Sequence, residues 1–145
     1  MKKYSFVKLN WKDYRACKKL LENVFHISEI PFFINAWRNR SDSESFLALD
    51  RDVIVGFGLV DNRSKLQYIC VDREYQNDKI GSQLLERIID ATREKRSLWL
   101  TTGSDERLVG WYGRYGFRVI KRLFNNSIFT GANMVKRNRC RSADK

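Results

Sequence analysis

The stretch Lys65–Ile89, KLQYICVDREYQNDKIGSQLLERII, leaves the chain few ways to fold. Leu66 to Val71 is a short apolar run with aromatic and β-branched members, which predicts a strand. Asp72 to Asp78 is polar and turn-like, and Asn77 and Asp78 carry side chains suited to capping a helix. From Ile80 onward, Ile80, Leu84, Leu85, Ile88 and Ile89 recur at helical spacing. A strand that passes through a tight polar turn into a helix leaves backbone N–H groups free at the helix start. With the positive end of the helix dipole they make an anion site suited to phosphate.

The flanking sequence predicts the elements that would hold this unit. Tyr4 to Leu9 alternates as a strand does, and Asn10 can cap a helix whose apolar stripe is Trp11, Tyr14, Cys17, Leu20, Leu21, Val24 and Phe25. His26 lies just past it, a lone histidine for which a metal or catalytic role is the minor reading. Pro31 suits the first turn of a second helix, PFFINAWRN, whose Phe32, Phe33 and Trp37 either close the core or wall a cleft. Ser45–Leu49, Val53–Val60 and Leu66–Val71, linked by turn formers, predict an antiparallel meander. Gly56 and Gly58 within it point to a bulge or a close neighbour. The central helix should run to about Lys95, followed by a buried strand at Leu98–Thr102 and a helix from Ser104 or Asp105 through Tyr115, closed by Gly116. Strands at Phe117–Phe124 and within Ile128–Lys136, joined by a turn at Asn125-Asn126, complete the order.

At 145 residues this is expected to be one domain, 1–145, with 137–145 a basic, frayed tail. A net charge of +11 predicts attraction to polyanions without choosing among nucleic acid, an acidic protein, a membrane surface or a phosphorylated cofactor. Cys17, Cys70 and Cys140 are far apart and there is one histidine, so no zinc site is expected and reduced thiols are. The start lacks the apolar region of a signal peptide, and no apolar run approaches the ~20 residues of a membrane span. A cytoplasmic protein, or a nuclear one where a nucleus exists, is the expectation.

Two blocks carry a family resemblance. ICVDREYQNDKIGSQLL resembles the acetyl-CoA block of the GNAT N-acetyltransferases, in which a strand ending in Val meets an Arg/Gln-x-x-Gly-x-Gly/Ala turn. Gln76, Gly81 and Ser82 stand in register with it, while Lys79 replaces the first glycine. DERLVGWYGRYGF, thirty residues on, is similar to the family's second signature, with Trp111-Tyr112 and Gly116-Phe117 in place. The likeness runs from Ser45 to Lys136. It implies an α/β (α+β mixed) fold: a mixed, mostly antiparallel central sheet of about six to seven strands flanked by four helices.

The resemblance further implies direct acetyl transfer from acetyl-CoA (coenzyme A) to a primary amine, on a small molecule or at a protein lysine or N-terminus. It assigns the oxyanion donor to the Val71 N–H, with Ile69 and Cys70 lining the thioester arm, and the proton for the leaving thiolate to Tyr112. Gln76, Asn77, Asp78, Lys79, Gly81 and Ser82 would surround the pyrophosphate. Asp105 stands where a cofactor-contacting asparagine is common, or only caps its helix. Lys79 takes a standard helical conformation or shifts the turn, and its ammonium adds attraction to the phosphates or is that of a surface lysine at a helix start; Asp78 is expected to cap the helix. No base is apparent: Lys65 and Gln67 occupy the face from which a base would act, and the alternatives are water relayed through Gln67 or Tyr68, or a carboxylate such as Glu22 or Glu29. A monomer or homodimer is expected. The competing readings are a basic nucleic-acid-binding protein and a non-catalytic CoA-binding module.

Overall fold

A computed structural model describes residues 3–138, so Cys140 and the tail beyond residue 138 lie outside the described residues. The chain divides into two compact units, residues 1–91 and 92–145.

The first unit runs β1 (Ser5–Lys8), α1 (Tyr14–Val24), α2 (Ile30–Arg38), β2 (Phe46–Asp50), β3 (Val53–Val60), β4 (Leu66–Val71) and α3 (Ile80–Ala91). Its strands form one antiparallel sheet in the order β1-β2-β3-β4. Asn10 opens the first helical segment as its sequence suggests: its Oδ1 accepts from the Lys12 N–H, and Asp13 reaches back to the Asn10 N–H, both at 2.9 Å. Trp11 falls in the 3₁₀ turn that precedes α1 and is 67% exposed, so the buried stripe is Cys17, Leu20 and Leu21. Pro31 sits in the first turn of α2, where its missing N–H leaves no acceptor unserved. The bulky trio divides: Phe33 and Trp37 are core, and Phe32 is exposed.

Alternation along β3 and β4 supplies both faces of the sheet. Phe57, Leu59, Tyr68 and Cys70 join α1 and α2 in one apolar cluster. Gly56, Gly58, Ile69 and Val71 face α3. A Cβ on Gly58 would lie 2.5 Å from Ile88 Cδ1, and one on Gly56 would lie 3.1 Å from the Cys70 carbonyl oxygen. These glycines therefore mark the close approach of α3, whose Ile80, Leu84, Leu85 and Ile88 are buried. The helix stops at Ala91, not Lys95, because Arg93 to Arg96 offer no apolar side chain to continue its buried face.

The second unit contains β5 (Ser97–Thr101), α4 (Glu106–Gly113), β6 (Arg118–Asn125) and β7 (Ile128–Arg137). Its strands form an antiparallel sheet in the order β5-β7-β6. The seven described strands thus hydrogen-bond as sheets of four and three, and the four helices are those expected. Leu98, Leu100, Phe117, Ala132 and Met134 are buried. α4 ends at Gly113, two residues early, because the chain turns over Arg114–Gly116: the Phe117 N–H donates back to the Tyr112 carbonyl at 3.3 Å and Gly116 takes φ +96°. The β6–β7 turn lies at Asn126-Ser127, one residue later than expected, with both residues at positive φ as a two-residue hairpin requires.

Candidate active site

In the first unit the site is built on the open edge of β4. The Asp72 N–H donates to the Val55 carbonyl at 2.8 Å, and Val71 stands opposite Gly56. In an antiparallel ladder this makes Val71/Gly56 and Ile69/Gly58 non-hydrogen-bonded pairs, so the N–H groups of Ile69 and Val71 point away from β3. β4 is the edge strand of this sheet. The Val71 carbonyl accepts from Gln76 Nε2 at 3.1 Å, which ties the turn to the strand and leaves the Val71 N–H as the outward group.

Cys70 behaves differently. It alternates onto the opposite face, fully buried against α1 and α2, so its side chain does not line the edge as expected. Burial pushes its thiol up to about 12 and raises that of Cys17 as well. Such thiols carry little thiolate at neutral pH. Both are expected to resist alkylation by iodoacetamide at pH 8 until denaturant is added, which mass spectrometry would read.

After β4 the chain forms a 3₁₀ segment, Arg73–Asp78, capped by Asp72 through its hydrogen bond from the Glu74 N–H. Lys79 follows at φ 61°, ψ 25°, in the left-handed conformation that glycine adopts without cost. It does not join the helix: the lysine holds a backbone shape that glycine favours. The left-handed region costs a residue with a Cβ roughly 1–2 kcal/mol, part of which glycine would return through its greater unfolded-state entropy. Lys79→Gly is therefore expected to stabilise the protein by about 0.5–1 kcal/mol, measured by urea unfolding.

α3 begins beyond Lys79, and the Gln83 N–H donates to the Lys79 carbonyl at 3.2 Å. Among the described residues no acceptor takes up the N–H groups of Ile80, Gly81 and Ser82. Three unsatisfied donors and the positive end of a twelve-residue helix give this turn the chemistry that suits an anion. Asp78 does not cap α3. Its carboxylate accepts from the Tyr4 hydroxyl, whose pKa is pushed up to about 12 chiefly by that bond, and this ties the acid to the residue just before β1. Tyr4, Asn77, Asp78, Lys79 and Gln83 line a groove of about 720 Å³ beside the turn. A separation of 74 positions between Tyr4 and Asp78 leaves no local signal of their pairing.

Two other polar contacts were also unread in the sequence. The Tyr68 hydroxyl donates to Glu29 Oε1 at 2.9 Å, so the candidate relay and the candidate carboxylate are engaged with each other. Burial first, and then this bond, raises the Tyr68 pKa. Gln67 Nε2 donates to Asp61 Oδ2 at 2.8 Å.

In the second unit Asp105 is the N-cap of α4, accepting from the Arg107 N–H at 2.9 Å. The Arg107 guanidinium beside it lowers its carboxyl pKa. Tyr112, half-buried, lies between Trp111 and Phe117, with ring centroids 4.8 and 5.6 Å away in edge-to-face contact. Burial pushes its hydroxyl up to about 12.

In the first unit the residues present fit parts of acetyl-CoA: outward strand N–H groups suit an acyl arm and a donor-rich turn suits a pyrophosphate. The profile of the acetyltransferase (GNAT) domain matches residues 16–138. The chain belongs to the GNAT acetyltransferase family. Among curated proteins none matches significantly. Solved structures agree on the GNAT fold. The ribosomal-protein-S18-alanine N-acetyltransferase of Escherichia coli superposes with a TM-score of 0.75 at 20% identity, covering 93% of this chain and 94% of that one. Arabidopsis thaliana Naa50, in complex with the bisubstrate analogue CoA-Ac-MVNAL, gives 0.73 at 17% identity, covering 92% and 97%. A GNAT-family acetyltransferase from Staphylococcus aureus gives 0.67 at 22% identity, covering 94% and 100%. Within this GNAT chain no described helix is long and apolar enough to cross a membrane.

Proposed function

We propose that the protein is an acetyl-CoA-dependent N-acetyltransferase of the cytoplasm that works as a single catalytic domain of residues 1–145. The observation that carries this reading is the outward Val71 N–H on the open edge of β4, followed directly by a helix start with three unsatisfied donors. Acetyl-CoA supplies an activated acetyl thioester. The N–H groups of Ile80, Gly81 and Ser82, with Gln76, Asn77 and Lys79 around the turn, hold its pyrophosphate. The Ile69 and Val71 N–H groups receive the acyl arm, and the Val71 N–H donates to the oxygen that gains charge as the amine attacks. Tyr112 holds the proton needed by the departing sulfur; a hydroxyl pushed up to about 12 stays protonated across the physiological range. Asp105 shapes the start of α4 as its cap. The acceptor is a primary amine, and the likeness to an N-acetyltransferase named for a ribosomal-protein alanine and to one in complex with the bisubstrate analogue CoA-Ac-MVNAL favours a polypeptide acceptor.

Isothermal titration with CoA, followed by transfer of radiolabelled acetyl to a panel of amines and peptides, tests this reading. Micromolar binding and turnover on at least one amine are expected, and no binding at millimolar CoA overturns it. A second reading draws on charge: residues 92–145 hold 13 of the 28 Lys and Arg but only 4 of the 17 Asp and Glu. That excess favours a polyanion partner, and steeply salt-dependent binding to random duplex DNA, with no CoA binding, would favour it over transfer.

A further inference from the structure

The least expected polar cluster in the first unit lies at the far end of β4. Asp61 is only 8% exposed. Its Oδ1 accepts from the N–H groups of Arg63 and Lys65 at 2.8 and 3.1 Å, and its Oδ2 accepts from Gln67 Nε2 at 2.8 Å. The ladder passes from Leu59/Tyr68 to Val60/Leu66, so Gln67 is the extra residue of a β-bulge, a device that re-aims a side chain. A carboxylate only accepts, so the amide must turn its NH₂ inward to Asp61 and its Oε1 outward. No buried side-chain nitrogen or oxygen among the described residues lacks a partner, and Gln67 Oε1 has none, so that oxygen opens to solvent. The result is a hydrogen-bond acceptor of fixed polarity on the strand that carries Ile69 and Val71.

We infer that the Asp61–Gln67 pair is a specificity device for a polypeptide acceptor: Gln67 Oε1 receives a backbone N–H of the peptide, and Asp61 is a positioning residue that holds the amide in the accepting orientation. This rests on the N-acetyltransferase reading. Four residues of strand span roughly 13 Å, so Gln67 is too far from the Val71 N–H to touch the attacking nitrogen. It is placed for the body of the acceptor. In an extended peptide the N–H groups of the third and fourth residues lie roughly 7–10 Å from the terminal amine, within reach of a glutamine side chain. A small amine has nothing to offer at that distance.

The isosteric change Asp61→Asn tests the device. Its Oδ1 can still serve the Arg63 and Lys65 N–H groups, while its NH₂ meets Gln67 and forces the amide to flip, presenting a donor outward. With tetra-alanine amide as probe, KM is expected to rise about 10-fold or more, because two donors then face each other. KM for acetyl-CoA and turnover of n-butylamine are expected to stay unchanged. Adding Gln67→Glu to Asp61→Asn restores an outward acceptor oxygen and should return the peptide KM to within about 3-fold of wild type. Unchanged peptide KM in Asp61→Asn, or no recovery in a folded double variant, overturns the inference. So does a wild type that acetylates n-butylamine but not the peptide, which leaves the transferase reading standing. A wild type that acetylates no amine overturns both.

Discussion

Tyr112→Phe is expected to lower turnover by about 10²–10⁴-fold at saturating substrates, the usual contribution of a positioned general acid. The substitution removes one oxygen and keeps the ring, so the edge-to-face contacts with Trp111 and Phe117 persist. CoA affinity by titration and the unfolding midpoint are expected to hold, which separates chemistry from folding. Unchanged turnover with the chemical step limiting would remove Tyr112 from the mechanism. The direction of its pKa shift makes a second expectation. Burial raises the folded-state value to about 12, above the ordinary tyrosine value of 10.0, so the neutral form is the one the fold favours. That contribution to stability is complete below about pH 10 and is lost as pH rises toward 12, and Tyr68, raised by burial too, adds to the loss. Activity should therefore show no alkaline limb from Tyr112 below about pH 10.

The largest expected effect on stability is at Gly131. A Cβ there would lie 2.1 Å from the Thr102 carbonyl oxygen, and backbone cannot swing aside as a side-chain tip can. The neighbourhood is also tightly bonded. The Thr102 N–H donates to the Ala132 carbonyl at 2.8 Å, and Thr102 Oγ1 accepts from the Ala132 N–H at 3.0 Å while donating to the Gly103 carbonyl. Gly131→Ala must break this junction between the end of β5 and β7. A loss of about 3–5 kcal/mol is expected, or roughly 10–15 °C in Tm by differential scanning calorimetry. Gly103→Ala makes the control, since a Cβ there meets nothing within 4 Å.

Much of this was legible in the chain because it is local. Apolar runs with flanking turn formers defined β3 and β4 at their observed limits, Val53–Val60 and Leu66–Val71. Asn10, Pro31, Asp105 and Gly116 end or begin their helices by chemistry that acts within a few residues. The errors at Lys95, Tyr115 and the β6–β7 turn are of one to four residues. They arise where the end of an element depends on which side chain finds a core to bury in.

What the sequence determined alone, then, was the order of the elements, the strand–turn–helix unit and the two blocks that point to the family, because each rests on spacing within a short segment. Tertiary structure alone decided three things. Lys79 keeps a left-handed backbone because the turn is held at both ends, by Gln76 to Val71 and by Tyr4 to Asp78. Cys70 leaves the candidate site because strand alternation and the packing of α1 and α2 commit it to the core. Gln67 acquires a fixed polarity because a buried carboxylate six residues earlier meets it across a bulge. In each case the deciding contact depends on which groups the fold brings together, and that information is not carried by any one segment.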